Sequence, residues 1–281
     1  MEKPVSKVAF LSDVHGNSPA LEAVLQDIDS YDVNELVMLG DLIPGVDPAG
    51  CVALVRNWAE KTDGKLTCIQ GNSEAWVLTP DRNTLWEYGI EFLIPPLVDI
   101  VDWWEDRLSQ EEIDWLRSFP ATLRWRNSLL VHDSPLDRMS VKTESNPIIK
   151  PEHREWFFHG RGINDDFSDG EFAQQFEWMR QNDYERIFCG HTHNAFIRER
   201  NGKIICNAGS AGAPVDGDWR PSWVLLEEGN PGEKQLTIHR VGYELSRIFH
   251  LFDENQDYPH FQVRDGMLDD FKSWYATGHH W

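Results

Sequence analysis

Seven metal-binding side chains occur where apolar runs of the sequence break off, and they are Asp13, His15, Asp41, Asn72, His132, His191 and His193. Carboxylate, imidazole and amide groups all bind divalent metal ions. Asp41 has two carboxylate oxygens, so it can bridge a pair of ions. Paired ions about 3.5–4 Å apart suit phosphoryl transfer, because they hold a bridging hydroxide and offset charge at phosphorus. The set therefore predicts a dinuclear centre that hydrolyses phosphate esters.

The first two of these residues lie on a predicted strand–loop–helix unit. Residues 8–11 form an apolar run, and Asp13 and His15 follow it directly. Ser18 as cap and Pro19 at the first helical position predict a helix start, and the helix carries an apolar stripe of Leu21, Val24, Leu25 and Ile28. In open α/β sheets such a loop lies at the carboxyl edge, where ligands bind.

The other candidate ligands follow predicted strands in the same way. Apolar runs predict strands at 35–39, 66–69, 128–131, 186–189, 196–200, 203–207, 222–227 and 235–241. Asp47 and Pro48 predict a second helix start, and Asn201-Gly202 is a strong hairpin signal. Strands alternate with helices through the first 72 residues, which predicts parallel strands joined by crossover helices.

Two insertions are predicted within a single domain covering residues 1–281. Strand signals disappear over about 76–125, where a capping box at Ser109 and Glu112 indicates a helix and the tryptophans accumulate at Trp76, Trp86, Trp103, Trp104, Trp115 and Trp125. We expect a helical cap with these tryptophans in its core, although they could instead stack on a nucleobase. Residues 136–170 are polar and irregular, with a short helix expected near Pro151.

The ordered motifs resemble those of the calcineurin-like metallophosphoesterases, and they are Asp13-Val14-His15, Gly40-Asp41, Gly71-Asn72, Val131-His132 and Gly190-His191-Thr192-His193. The short bacterial and archaeal phosphodiesterase branch is the most similar, also at Asn207-Ala208-Gly209-Ser210, Asp216-Gly217-Asp218 and Ser222. The resemblance implies an α/β fold, a four-layer α/β/β/α sandwich. It implies one ion on Asp13, His15, Asp41 and His193. It implies a second on Asp41, Asn72, His132 and His191. Manganese is the favoured ion, with iron, nickel and zinc open.

The sequence departs from that family at Ser73, where many members carry a histidine thought to protonate the leaving group. A serine hydroxyl is a poor acid near neutral pH, and general acid catalysis contributes about 10²–10⁴-fold. We therefore predict a slow enzyme that favours good leaving groups. His153 and His159 are alternative acids, Arg161 is a candidate phosphate ligand, and Arg220 is expected in a structural ion pair.

The predicted function is a metal-dependent phosphoesterase that prefers phosphodiesters. Asp41, Asn72 and His132 are its candidate catalytic residues, and Asn72 and Arg161 its candidate substrate ligands. A phosphomonoesterase and a dinucleoside polyphosphate hydrolase are alternatives, and a non-catalytic scaffold on the same fold ranks below them. A protein serine/threonine phosphatase ranks low, because residues 42–45 lack the arginine that follows Gly-Asp in those relatives.

The amino-acid composition limits the classes of molecule that the protein is expected to bind. The formal net charge is −21, and such a surface repels phosphate backbones, so a small phosphate ester is expected as substrate rather than a nucleic-acid polymer. No apolar run reaches the roughly 18 residues of a membrane span. Cys51, Cys68, Cys189 and Cys206 have no paired spacing. Without a secretory signal at the start, we expect reduced core cysteines and a cytoplasmic location, with the oligomeric state open.

Overall fold

Two five-stranded mixed sheets form the centre of the molecule. The computed structural model describes residues 6–43, 45–62, 65–77, 101–138, 162–229, 234–259 and 276–277. The first sheet has the order β10-β9-β1-β2-β3, and its strands are β1 (Ser6–Leu11), β2 (Glu35–Met38), β3 (Leu66–Cys68), β9 (Ser222–Glu228) and β10 (Lys234–Arg240). β1, β2 and β3 run parallel, whereas β9 pairs antiparallel with β1 and with β10. The predicted parallel unit with crossover helices is confirmed.

The second sheet has a parallel centre flanked by antiparallel edges. Its order is β4-β5-β6-β8-β7, and its strands are β4 (Thr122–Trp125), β5 (Ser128–Val131), β6 (Arg186–Cys189), β7 (Ala195–Arg200) and β8 (Lys203–Ala208). β5, β6 and β8 are parallel, and β7 joins β8 through the predicted hairpin. Asn201 and Gly202 have φ values of 52° and 73° there, as a type I′ turn requires.

Helices cover the outer faces of both sheets, which gives the predicted α/β/β/α order. The helices are α1 (Ser18–Asp29), α2 (Pro48–Lys61), α3 (Asn72–Val77), α4 (Gln110–Arg117), α5 (Pro135–Arg138), α6 (Asp169–Gln181) and α7 (Leu245–Glu254). Side chains of α1 and α2 share a core cluster with one face of the first sheet. Side chains of α6 share another with the outer face of the second sheet.

β1 is apolar from Val8 to Leu11 because both faces of that part of the strand are buried. Val8 and Phe10 lie in the cluster between the two sheets, while Ala9 and Leu11 face the helices. The ring of Phe10 stacks on that of Phe188 with centroids 3.9 Å apart. This packing fixes the two sheets against each other and so fixes the loops at the ends of their strands.

The start of α1 differs from the prediction by one position. Asn17, not Ser18, is the cap residue, because its side-chain oxygen accepts a hydrogen bond from Ala20 N at 3.1 Å. The Ser18 hydroxyl donates instead to the carboxylate of Asp47, the cap residue of α2. The two helix starts are therefore bonded to each other.

The predicted strand-free insertion extends too far. β4 lies inside the 76–125 range and pairs with β5, and Trp125 belongs to the core between the sheets. A strand of only four residues gives a weak signal, which explains the error. Trp103 and Trp104 are buried in the core cluster shared with α1 and α2, so their predicted core role is confirmed and they offer no stacking surface.

Other parts of that prediction have different outcomes. The capping box that starts α4 is present. The side chain of Trp76, the whole of Trp86 and the short helix expected near Pro151 lie outside the described residues.

The four cysteines are buried and unpaired. Within the described ranges no helix has both the length and the apolar character of a membrane span.

A polar network joins the two sheets at the amino-terminal ends of β1, β2 and β6. We call it the amino-edge network, and it comprises Glu35, Trp125, Arg126, Arg186 and Glu228. The Glu228 carboxylate accepts hydrogen bonds from Arg186 at 2.7 Å and from Arg126. The Glu35 carboxylate accepts from Trp125 Nε1 at 2.7 Å and from Arg126 at 3.3 Å. Glu35 and Glu228 belong to the first sheet and the other residues to the second, so the network fastens one sheet to the other.

Candidate metal centre

All seven candidate ligands meet at the opposite end of the sheets. They follow the carboxyl ends of β1, β2, β3, β5 and β6, which belong to two different sheets. The Nε2 atoms of His15 and His193 are 2.9 Å apart. Asn72 Oδ1 lies 3.1 Å from His132 Nε2 and 2.9 Å from His191 Nδ1. Residues as far apart in the sequence as Asp13 and His193 thus form one cluster.

Two overlapping groups in this cluster have the spacing of metal ligands. Asp13, His15 and His193 offer atoms within 4.8 Å of one another, and so do Asp13, Asp41 and His132. Asp41 Oδ2 lies 3.7 Å from His15 Nε2 and 3.5 Å from His132 Nε2. Asp41 therefore lies close to His15 of the first expected ligand set and to His132 of the second. Asp13 belongs to both of the groups with metal-ligand spacing.

Asp13 carries an oxygen that needs a partner. Its Oδ2 accepts a hydrogen bond from His191 N at 2.8 Å, but its buried Oδ1 has no hydrogen-bond partner. Oδ1 faces His193 Nε2 at 3.3 Å and His15 Nε2 at 3.6 Å. A divalent cation would satisfy such a carboxylate oxygen among imidazole nitrogens, so the donor set fits a metal ion.

Backbone carbonyls orient two of the imidazoles. His132 Nδ1 lies 2.8 Å from Leu39 O, and His193 Nδ1 lies 2.5 Å from Ala213 O. A carbonyl accepts only from a protonated nitrogen, which leaves Nε2 of both rings as the ligand atom. His191 differs, because it presents Nδ1 to the cluster.

The carboxylates and imidazoles of the cluster stabilise one another's charged forms. Burial alone raises the pKa of Asp41, but His132 and His15 outweigh it and lower that pKa to about 2. Burial lowers the pKa of His132, yet Asp41 and Asp13 raise it to about 10. Burial raises the pKa of Asp13, but His193 and His132 place it well below its usual value. A cation binding here would displace protons from imidazoles.

Five of the seven residues adopt a left-handed backbone conformation. Their φ values are 54°, 51°, 55°, 69° and 55° for Asp13, His15, Asp41, His191 and His193. This conformation costs a residue with a side chain about 1–2 kcal/mol. Hydrogen bonds between neighbouring loops, such as Val14 N and His15 N to Asp41 O at 2.9 and 3.1 Å, hold these conformations in place.

The loops after β2 and β3 touch through their glycines. A Cβ on Gly71 would lie 2.1 Å from Asp41 Oδ1, and one on Gly40 would lie 2.4 Å from Gly71 N and 2.8 Å from His132 Nδ1. These distances are far below contact. The Gly-Asp and Gly-Asn motifs therefore allow close packing of the two loops as well as supplying the two ligands.

Ser73 and Glu74 contribute in ways that the sequence did not show. Ser73 is buried, and it donates to Asp41 Oδ1 from its N–H at 2.9 Å and to Oδ2 from its hydroxyl at 3.0 Å. Its hydroxyl is therefore committed to the carboxylate of Asp41. The signal was its position directly after Asn72, which we interpreted only as a missing histidine.

Glu74 lies beneath the cluster and is 1 % exposed. Its Oε2 accepts from the N–H groups of Asp41 at 2.7 Å and Gly71 at 2.8 Å. Its Oε1 accepts from those of Leu42 at 2.6 Å and Ile43 at 3.2 Å. Burial and the nearby Asp41 raise the pKa of Glu74 to about 7, and these four N–H groups are what offset the cost of ionising it.

The motif at residues 207–210 supports the cluster from the second sheet. Asn207 Nδ2 donates to Gly190 O at 2.8 Å and to Thr192 Oγ1 at 3.0 Å, so it holds the loop of His191 and His193. The Ser210 hydroxyl donates to Asp13 O at 2.6 Å. The resemblance drew attention to this motif without assigning it that task.

The structure describes only one of the remaining candidates. Arg161, His153 and His159 lie outside the described residues. Arg220 forms the expected ion pair, with Asp218 Oδ2 at 2.7 Å.

Comparisons with known proteins agree with this fold. A family model of the calcineurin-like phosphoesterase superfamily domain matches residues 7–230. The chain is 25% identical over 270 residues to the uncharacterized protein MJ0912 of Methanocaldococcus jannaschii, covering 89% of this chain and 93% of that one. A metallophosphoesterase from Sphaerobacter thermophilus has a similar fold at 22% identity, with a TM-score of 0.64 over 97% of this chain and 99% of that one. So does hypothetical protein PH1004 of Pyrococcus horikoshii at 16% identity, with a TM-score of 0.71 over 95% and 97%.

Proposed function

Since this chain belongs to the calcineurin-like phosphoesterase superfamily, we propose that it hydrolyses small phosphate esters with two metal ions and prefers phosphodiesters. The observation that supports this most is the buried Asp13 Oδ1, which has no hydrogen-bond partner and faces imidazole nitrogens of the cluster. An unpaired buried carboxylate oxygen is costly, and a divalent cation supplies the missing partner.

The ligands divide between the two ions. One ion would be held by Asp13, His15, Asp41 and His193. The other would be held by Asp41, Asn72, His132 and His191. When bound, such ions acidify water and offset the charge that develops at phosphorus. Manganese is the first ion to test because the family resemblance implies it, and iron, nickel and zinc, which suit imidazole ligands, are the alternatives.

Asn72 has a second task in this proposal. Its Oδ1 faces His132 Nε2 and His191 Nδ1 at 3.1 and 2.9 Å, while its Nδ2 lies only at the long distance of 3.5 Å from Ser73 Oγ. The amide oxygen is therefore the metal-binding end. The amide nitrogen is left to donate to a phosphate oxygen of the substrate and hold it for attack.

Proton supply to the leaving group sets the preference among substrates. Because the Ser73 hydroxyl is bonded to Asp41, the departing alkoxide gains no acid at this position, and general acid help of about 10²–10⁴-fold is lost. Aryl esters should thus react faster than alkyl esters. A plot of log kcat/KM against leaving-group pKa should slope steeply downward, and a slope near zero would contradict the proposal.

The direct test compares a bis-aryl phosphate with the aryl monoester. The protein is stripped of metal and then assayed with Mn²⁺, Fe²⁺, Ni²⁺ and Zn²⁺ in parallel, with Asp41→Asn as the inactive control. We expect the diester to turn over faster and only with added metal. Faster turnover of the monoester would indicate a phosphomonoesterase, and absence of both bound metal and turnover would indicate a scaffold.

A further inference from the structure

The four N–H groups that bond to Glu74 belong to two loops. Those of Asp41, Leu42 and Ile43 lie after β2, whereas that of Gly71 lies after β3. The carboxylate therefore ties the loop that carries Asp41 to the loop that precedes Asn72. It does so from a buried position in the first turn of α3.

Ser73 bonds to the side chain of Asp41, whose backbone N–H bonds to Glu74. Its N–H and hydroxyl bond to the two carboxylate oxygens of Asp41 at 2.9 and 3.0 Å, while Glu74 accepts from the N–H of Asp41. Asp41 is thus fixed at three points by two consecutive residues. Because its backbone is left-handed, with φ of 55°, these contacts select both its backbone conformation and the direction of its carboxylate.

We propose that Ser73 and Glu74 form a positioning clamp that sets the separation of Asp41 and Asn72, and thereby the spacing of the two ions. The inference rests on the proposed function, because it assigns Asp41 the bridging position. Neither clamp residue has to touch substrate. Glu74 accepts through both oxygens from N–H groups alone, so its charge is used on the backbone that carries the ligands.

Glu74→Gln tests the clamp with almost no change in volume. The amide nitrogen of glutamine is a donor, and it would face N–H groups, so at least one of the two loops loses its bonds. Partners behind a metal ligand typically contribute about 10- to 100-fold in metal affinity. The matched control is Glu112→Gln, because the Glu112 carboxylate also accepts a backbone N–H, at Ser109, within the exposed cap of α4.

The readout is Mn²⁺ binding to the metal-free protein by calorimetry, together with the electron paramagnetic resonance spectrum of the loaded protein. We expect the wild type and Glu112→Gln to bind two ions with a spin-coupled spectrum. Glu74→Gln should bind one ion normally and the second about 10- to 100-fold more weakly, with an uncoupled spectrum at two equivalents. A merely structural role would lower the melting temperature and leave coupling intact, which would overturn the proposal.

Ser73→Ala decides the case in which Glu74→Gln does not fold, with Ser109→Ala as its control. It removes one hydrogen bond to Asp41 and should weaken the second ion by about fivefold, the equivalent of one net hydrogen bond. Unchanged affinity would overturn the clamp. A wild-type protein that binds no metal would instead overturn the proposed function, so the two failures are distinguishable.

Discussion

The two ends of the paired sheets hold charge in opposite ways. At the amino end, the carboxylates of Glu35 and Glu228 accept four hydrogen bonds from the side chains of Trp125, Arg126 and Arg186. Each carboxylate there is paired with an arginine, although Arg186 Nε is buried without a partner among the described residues. At the carboxyl end, two carboxylates and four imidazoles crowd together and leave a buried oxygen without a hydrogen bond. The same strands thus carry carboxylates paired with arginines at one end and, at the other, carboxylates whose ion-pair partners are imidazoles.

The difference separates stability from chemistry within one fold. Strained backbone and unpaired polar atoms concentrate at functional sites, and the rest of the structure must hold them. Here the core between the sheets and the amino-edge network do so. Substitutions at the carboxyl end should therefore change metal binding and turnover, and those at the amino end should change the free energy of unfolding.

The largest effect is expected for Asp41→Asn. The substitution removes the charge between the two halves of the cluster, so turnover of a bis-aryl phosphate with Mn²⁺ should fall by at least about 10³-fold, as expected when several kcal/mol of electrostatic stabilisation are lost. Glu35→Gln at the amino end is the control and should keep full kcat/KM. Activity of Asp41→Asn within tenfold of the wild type would remove the basis for the comparison.

Arg186→Met should have the largest effect on folding. Arg186 is 4 % exposed, and it pairs with the Glu228 carboxylate, so removing one partner of this pair should lower the free energy of unfolding by about 3 kcal/mol. The midpoint of urea unfolding measures it. Arg198→Met is the control, because Arg198 forms an exposed pair with Asp165 that should contribute less than about 1 kcal/mol.

The two variants at the amino end, Glu35→Gln and Arg186→Met, should still bind metal. At a concentration one hundred times the dissociation constant, Mn²⁺ should raise the free energy of unfolding by about 2.7 kcal/mol for each ion bound. The gain should survive in Arg186→Met and vanish in Asp41→Asn. It should also shrink as pH falls, because the raised pKa of His132, about 10, means that metal must displace a proton there. A gain independent of pH would contradict this account.

The smallest effect is expected from acid. Burial raises the pKa of Glu228, but Arg186 and Arg126 outweigh it and hold that pKa below its ordinary 4.5. The folded state therefore gains stability from this group above pH 4.5, and loses it as pH falls further. As the pH is lowered, the free energy of unfolding should fall more steeply in the wild type than in Glu228→Gln. Parallel curves would show that the pair contributes nothing.

Local signals explain what the sequence predicts well. β1 with Asp13 and His15, and the Asn201-Gly202 hairpin, each depend on residues within a few positions, so pattern and turn chemistry suffice. Five strand ends with ligand side chains then converge because parallel strands share an edge. The four-residue β4 escaped this approach, since pairing with β5 rather than its own sequence defines it.

Contacts between distant residues explain what the sequence leaves out. Glu74 bonds to residues up to 33 positions away, and Arg126 reaches Glu228 over 102 positions. The local sequence at Ser73-Glu74 does not indicate that Ser73 donates to the carboxylate of Asp41. It also does not indicate that Glu74 accepts hydrogen bonds from four backbone N–H groups. Asn17 as the cap of α1 was missed for a nearer reason, because Ser18 is an equally good cap residue and its hydroxyl is drawn to Asp47.

The left-handed backbone at five ligand positions restricts how this centre can evolve. Glycine, asparagine and aspartate adopt that conformation most easily, and branched side chains do so at high cost. Randomised libraries at Asp13, His15, Asp41, His191 and His193 should therefore yield folded clones rich in those three amino acids, and clones that lose a histidine or an aspartate there should be inactive. New metal preferences would have to arise at Asn72 and His132, the two positions without positive φ.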